Sequence, residues 1–558
     1  MAINKQQSKN LLFVILGILI LNIIGNYYYK RFDLTQDKRF TLSKAAKSTI
    51  ATIESPIFIE VFLEGDFPSE FKRLQAETKH LLEEFEAFNP NIKYQFVNPT
   101  DVKGDAEALF KFGAKPAQVE VNENGKISTQ QIFPWAIATF NGRPIKIPLL
   151  KNQLGITSEE RVNNSIQNLE YAFADGFNKL VHPKKRKVAV IKGNGELEDK
   201  YVVDFFTTLR EYYYIAPFTL DSAAISPVKT LEQIKEFDLI VIANPTESFS
   251  ENEKYILDQY TMSGGRSLWL LDAVELKKDS VSGNDFGFGK DVNLTDFFFK
   301  YGIRINPNLV KDVYSAPVLL ASGSERESQY NRYPWFYSPL SSSANNHPIV
   351  TNIEAVKFEY ASSIDTLPNS LSKTILLSSS PISKIVGMPV EIDISKEITK
   401  NLKIVNEGPS EKEYNAGEIP ISVLLEGSFP SAYTNRIKPF NIATDIRNSK
   451  PTKMVVVSDG SIIVNQFQGN RPLELGFDKW TNAFYGNKEF LLNTVNYLLD
   501  DNGLINIRSK EISVPFLNPQ KVAEQRTLWQ LVNILLPLVL LAIFGFGFTY
   551  LRKQKYTN

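Results

Sequence analysis

KVAVIKGNGELED, Lys187 to Asp199, runs from an apolar stretch through a glycine-punctuated turn into an acidic segment. KVAVIKG has the make-up of a buried strand, and DKYVVDFFTTLREYY after it has the apolar spacing of a helix. The alternation continues with FDLIVIANP as a strand, SENEKYILDQYTMSGG as a helix and RSLWLLD as a further strand. Apolar strands alternating with helices predict a parallel, doubly wound sheet. Later strands are expected at KTILLSS, PISVLLEG and KMVVVSDG, and a helix at KEFLLNTVNYLLDD.

Such sheets bind ligands beyond the carboxyl ends of their strands. That rule nominates Gly193, Gly195 and Glu196 after the first strand, Asp272 after LWLL, and Asp459 with Gly460 after VVVS. The dinucleotide fingerprint needs a third glycine where this chain has Glu198, and Glu196 and Glu198 would repel phosphate. A tight strand-to-helix turn is the better reading of Gly193–Gly195. For Asp272 and Asp459 the alternative to a site is that each caps the turn that follows it. GNDFGFGKD (Gly283 to Asp291) has the wrong glycine spacing for a P-loop and Asp291 where the magnesium-binding hydroxyl belongs, so ATPase chemistry is not expected.

Composition narrows the chemistry further. The chain of 558 residues has no cysteine, which excludes disulfides, thiolate nucleophiles and Cys-ligated metals. Its three histidines, His80, His182 and His347, have no metal spacing, and no G-x-S-x-G elbow is present. No catalytic residue, metal or cofactor is therefore expected. Lys+Arg and Asp+Glu both total 62, a balance that argues against nucleic acid as a partner. PKKRKV (Pro183 to Val188) matches a nuclear-localisation pattern but reads here as a basic linker entering a strand.

Ahead of that linker lies a second α/β pattern. IFIEVFL, IKYQFV, AQVEV, QIFPWAIATF and PIKIPLL are strands, with helices at SEFKRLQAETKHLLEEFEAF, DAEALFKFG and Thr157 to Leu180. Phe71, Leu74, Leu81, Leu82, Phe85 and Phe88 share one face of the first of these helices, and Asn141-Gly142 is a hairpin turn. This order suits a small α/β domain, with a thioredoxin-like topology as a candidate but no Cys-x-x-Cys. LEGDFPSEF (Leu63 to Phe71) recurs as LEGSFPSAY (Leu425 to Tyr433), each a strand-exit loop with glycine at the turn.

Two uncharged apolar segments bracket the whole. Residues 11–29 would rise roughly 28 Å as a helix, close to the hydrocarbon thickness, with Tyr27–Tyr29 at the interface. No A-x-A site follows Ile24, so a signal-anchor is preferred to a cleaved signal peptide. Residues 528–551 form the second span, flanked by Trp529, Tyr550 and the basic RKQK. Two spans place the tails 1–10 and 552–558 together, on the cytoplasmic side by the positive-inside rule. The expected organisation is a juxtamembrane collar and first α/β domain over 30–182, a larger α/β domain over 187–510 and a stalk over 511–527.

The collar, RFDLTQDKRFTLS (Arg31 to Ser43), alternates apolar and polar residues, and Asp33, Lys38 and Arg39 are its candidate contacts with lipid or a partner. This stretch, with VFLEGDFPSEFKRL, LLEEFEAFNPNI, KGNGELED, NHPIVTNI, LLEGSFP and VVVSDGSIIVNQ, resembles the GldG family of gliding-motility-associated ABC-transporter auxiliary proteins, of substrate-binding type, over essentially the full chain. The resemblance implies a glutamine-amidotransferase-like central domain, here without the cysteine nucleophile. It also implies a bacterial inner-membrane protein, bulk periplasmic, beside a GldF-type permease and a GldA-type ATPase, with a homodimer in the complex as one arrangement. A non-enzymatic transporter subunit is the leading expectation. A membrane-tethered periplasmic receptor, with its solute near Gly195, Asp272 and Asp459, is the alternative.

Overall fold

The structure, a computed structural model, describes residues 13–18, 20, 22, 41–65, 67–99, 105–123, 126–151, 157–280, 284–322, 329–342, 345–500, 503–509 and 519–556. It is a mixed α/β architecture in two compact units, Met1–Glu511 and Ile512–Asn558. Both α/β patterns read from the sequence lie in the first unit.

The amino-terminal pattern folds as helix α1 (Lys44–Ala51), strand β1 (Ile57–Val61), helix α2 (Ser69–Phe88), strand β2 (Ile92–Phe96), helix α3 (Asp105–Lys111), strands β3 (Ala117–Glu123), β4 (Lys126–Ile132), β5 (Trp135–Phe140) and β6 (Arg143–Pro148), and helix α4 (Ser158–Val181). Four strands pair in the order β2-β1-β5-β6, with β1 and β2 parallel and the other pairs antiparallel. Alternation in β1 buries Ile57, Ile59 and Val61 and leaves Phe58 exposed. QIFPWAIATF, expected as one strand, is divided at Phe133-Pro134, because Pro134 has no N–H to offer a ladder. β3 and β4 form a separate hairpin. Asn141 and Gly142 both have positive φ, as a two-residue hairpin turn requires. On α2 the buried residues are Phe71, Leu74, Thr78, Leu82 and Phe85, while Leu81 is half-buried and Phe88 exposed, so the apolar stripe is narrower than its spacing predicts. Thr157 and Glu160 cap α4 reciprocally, and α4 lays Val162, Leu169, Phe173 and Phe177 onto the same core.

The larger sheet is built from β7 (Lys187–Lys192), helix α5 (Asp199–Leu209), β8 (Tyr214–Thr219), helix α6 (Pro227–Ile234), β9 (Leu239–Ala243), helix α7 (Glu251–Met262), β10 (Arg266–Leu270), β11 (Ser372–Ser378), β12 (Pro420–Gly427) and β13 (Thr452–Val457), with helix α8 (Asn487–Leu499) after them. Its order is β11-β12-β13-β10-β9-β7-β8. The five strands from β13 to β8 are parallel, and β11 and β12 join antiparallel. Every residue of β9 is buried, because helices cover both faces. Val188, Leu239, Val241, Leu268 and Leu270 pack with α5 and α8, whereas Ile191, Ile240, Ile242 and Trp269 pack with α6 and α7. β12 runs into β13 with no helix between them, and an antiparallel pair needs no crossover. Smaller sheets occupy the stretch between β10 and β12 and the segment after β13, among them the long hairpin Ser315–Ser322 with Gln329–Ser341.

In the second unit helix α9 (Pro519–Tyr556) has 38 residues, about 57 Å at the usual rise. Within it Glu524–Lys555 is long and apolar enough to cross a membrane. The far half of the expected stalk is therefore already helical. Of the first expected span, residues 13–18, 20 and 22 are helical. Its remaining residues, and the collar with Asp33, Lys38 and Arg39, lie outside the described residues.

Candidate functional site

The parallel strands present their carboxyl ends side by side, and there Asp272 and Asp459 come together. β10 and β13 are direct neighbours, so the residues two beyond each strand end share one edge. The Gly460 N–H donates to Asp272 Oδ1 at 2.6 Å. Asp459 is fully buried. Its Oδ1 accepts from the Ser461 N–H and hydroxyl, both at 2.7 Å, and its Oδ2 from the Glu359 N–H at 2.7 Å. Asn244, just past β9, sits at φ +52° and accepts from Lys290 Nζ at 3.1 Å. Gly460 is needed for this approach, since a Cβ there would lie 2.4 Å from Asn244 Cγ.

Burial dominates the electrostatics. It raises Asp272, against the opposing pull of the Gly460 N–H and the Lys290 ammonium. Asp459 is pushed up to about 8, by burial first and then by the charge of Asp272. At neutral pH the pair therefore holds a proton. Burial lowers Lys290, with Asp272 opposing. Ser461, which donates to Asp459 through both its N–H and its hydroxyl, opens a 3-10 turn, Ser461–Ile463. The capping alternative thus holds for Asp459, with a partner carboxylate that single-strand reasoning did not supply.

Gly193, Gly195 and Glu196 form the next cluster along. Gly193 and Gly195 have φ of +117° and +70°, and a Cβ on Gly195 would lie 2.1 Å from Thr246 Oγ1. Glu196 folds back to accept from the Asn194 N–H at 2.9 Å, and burial raises its pKa. The Asn194 carbonyl accepts from the Thr246 and Glu247 N–H groups, both at 2.9 Å. The turn therefore ties the exit of β7 to that of β9, and Asn244 in that second exit carries the connection on to Lys290. GNDFGFGKD is no phosphate loop: Asp285–Gly289 is a strand of a three-stranded antiparallel sheet.

The histidines stay apart, on α2, at the end of α4 and against the Tyr497 ring at 4.6 Å. Among the described residues no group of three or more His, Cys, Asp or Glu side chains is placed to hold a metal. A cavity of about 470 Å³ lies between α4, the 183–186 linker and the end of α8, lined by Tyr171, Lys179, His182, Tyr212 and Leu504 among others. None of the strand-end candidates lines it.

Two buried clusters escaped the sequence. Asp258 on α7 accepts from Tyr301 Oη, Ser431 Oγ and the Ala432 N–H at 2.7–2.9 Å. Glu489 Oε1 accepts from both Lys151 Nζ at 2.9 Å and Arg508 at 2.6 Å. These residues are scattered along the chain and share no motif, so no local pattern could have found them.

The fold is a mixed α/β unit centred on a largely parallel sheet, in a chain whose carboxyl-terminal helix is long and apolar enough to cross a membrane. The chain belongs to the ABC-type uncharacterized transport system family (ABC_transp_aux), whose model matches residues 185–494. A domain of unknown function, DUF7088, matches residues 36–139. An uncharacterized protein of Borreliella burgdorferi is 20% identical over 558 residues, covering 99% of each chain. The solved mmIFT52 N-terminal domain aligns with 56% of this chain and 97% of its own at 15% identity, with a TM-score of 0.32, too loose a likeness to build on.

Proposed function

We infer that the protein is a non-enzymatic accessory subunit of an ABC transporter-like complex, anchored in the bacterial inner membrane and acting in gliding motility. The observation that carries this reading is the transport-system family match over the whole large sheet and the segments around it. On this reading both termini are cytoplasmic, the α/β regions are periplasmic, and the partners are a GldF-type permease and a GldA-type ATPase. The motility assignment rests on the collar and the other stretches that resemble the GldG family. The β2-β1-β5-β6 order, with one parallel and two antiparallel pairs, suits a thioredoxin-like lobe, and the sheet covered by helices on both faces suits an amidotransferase-like one.

A scaffold needs its loops fixed, and at the strand ends the donors to Asp459 are backbone N–H groups and a serine of the chain itself. Affinity purification of the full-length protein from native membranes tests the reading. Permease and ATPase should co-purify in fixed ratio, and their absence from a detergent series that keeps the protein folded would overturn it. The tethered-receptor alternative places its solute near Gly195, Asp272 and Asp459, none of which lines the 470 Å³ cavity. It predicts a rise in melting temperature with some member of a solute library.

A further inference from the structure

Two stretches of the first unit far apart in sequence, at Ser43 and at Arg508, meet on one segment of helix α4. Near the start, the Ser43 N–H, at the cap of α1, donates to the buried Glu170 carboxylate at 2.6 Å. Near the end, the 3-10 helix Leu504–Ser509 packs on α1 and α4, and the Arg508 guanidinium lies 5.0 Å from the centroid of the Tyr171 ring. Consecutive residues of α4 thus hold both ends.

Arg508 reaches further. Its side chain is 3% exposed and donates to Glu489 and to the carbonyls of Thr351 and Asn352 at 3.2 and 3.3 Å. Lys151, just beyond β6, donates to the same Glu489 oxygen and to the Asn352 carbonyl. Asn352 in turn donates to the Asn164 carbonyl of α4 at 3.1 Å. Glu489 stands in the first turn of α8, which packs on the large sheet. Two cations, from the exit of β6 and from the carboxyl-terminal exit, therefore meet on the Glu489 carboxylate, and the carbonyls of Thr351 and Asn352 tie the 351–352 segment and, through Asn164, helix α4 to them. The 470 Å³ cavity lies beside the same contact, lined by Tyr171 of α4, by Leu504 and Ile505 of the 3-10 helix and by the 183–186 linker.

Resting on the reading of the protein as a transporter subunit, we propose that the Lys151–Glu489–Arg508 knot is a coupling device. It makes the carboxyl-terminal exit, helix α4 and the first turn of α8 move as one piece. Displacement of the chain at Arg508 is thereby delivered to the seven-stranded sheet. Two cations on one half-buried carboxylate give the joint direction: removing Glu489 frees both arms at once.

The absence of cysteine makes the test direct. Lys79→Cys and Lys229→Cys, at exposed positions in the two lobes, carry spin labels on the full-length protein in nanodiscs. The expected result is a narrow inter-label distance distribution that broadens with Glu489→Gln. Amide protection over 504–509 and α1 should fall about tenfold in the same variant. Should Glu489→Gln fail to fold, the set Lys151→Met, Glu489→Leu and Arg508→Met removes the charges together and should broaden the distribution equally. An unchanged distribution in a folded variant, whatever its melting temperature, overturns the coupling role. Loss of permease co-purification with the distribution intact in the wild type would instead sink the functional reading and leave the joint standing.

Discussion

The strand-end pair and the inter-lobe knot are both charge clusters largely withdrawn from water, and they fail in opposite senses. At Asp272–Asp459 two carboxylates face one half-buried ammonium, Lys290, and the surplus is negative. At Lys151–Glu489–Arg508 two cations share one carboxylate, and the surplus is positive. The first cluster relieves itself by holding a proton. In the second, burial pushes Glu489 up but the charges of Lys151 and Arg508 outweigh it and hold the carboxyl below its usual range, while burial lowers Lys151 to about 8. The pair joins loops within one sheet, where backbone N–H groups do most of the holding. The knot joins separate lobes, where side chains must do it. Local clusters can be neutralised by protonation at little cost, whereas a joint between lobes needs charge to persist.

Removing the carboxylate of the knot gives the largest effect. Glu489→Leu leaves Lys151 and Arg508 buried against each other, and breaking a buried pair in this way costs about 3–5 kcal/mol. Urea unfolding of the full-length protein should show a loss of that size. A loss below about 1 kcal/mol would equate the knot with an ordinary surface pair and erase the contrast.

The contrast sharpens with pH. Asp459 has a folded pKa above its unfolded value of 3.8, so its contribution is complete below about pH 4 and is lost as pH rises through about 8. Glu489 runs the other way: its pKa is depressed, so its contribution is present above 4.5 and lost as pH falls through the folded value. Between pH 5 and 8, Asp459→Asn should remove a stability slope of up to about 1.4 kcal/mol per pH unit. Glu489→Gln should leave that slope in place. Unfolding free energies at pH 5 and 8 for both variants decide it, and identical slopes in wild type and Asp459→Asn would remove the shared proton.

Legibility in the sequence followed the same division. KVAVIKG, FDLIVIA and RSLWLL announced buried parallel strands because a strand covered on both faces is apolar throughout. Asp272 and Asp459 were nominated by position alone, since each stands at a strand end whatever its partner. That they face each other follows from β13 pairing with β10, a neighbour some 180 residues away in the chain that no local pattern encodes. The repeat LEGDFPSEF and LEGSFPSAY was legible and structurally meaningful: Gly65 and Gly427 have φ of +145° and +135°, and Leu63 and Leu425 are both buried. Among the described residues, the second copy alone closes on a buried carboxylate, Asp258, and nothing in the repeat signals that difference. Lys151, Glu489 and Arg508 were illegible because a charged residue on a helix or after a strand looks solvated until the opposite lobe is placed against it.

The smallest effect separates packing from charge at the strand ends. Gly460 has φ −77° by virtue of its place before the 3-10 turn, so alanine meets no backbone penalty there. Its Cβ would instead lie 2.4 Å from Asn244 Cγ and press the β9 exit away from Lys290. Overpacking of this kind costs about 1–3 kcal/mol. Because the carboxylates keep their N–H donors, the loss should be the same at pH 5 and pH 8. Gly427→Ala is the control, where the penalty comes from a positive φ far from either cluster. If Gly460→Ala were pH-dependent and Gly427→Ala were not, the close approach of Asn244 would be part of what sets the proton on Asp459, and packing and charge at this edge would have to be treated as one interaction.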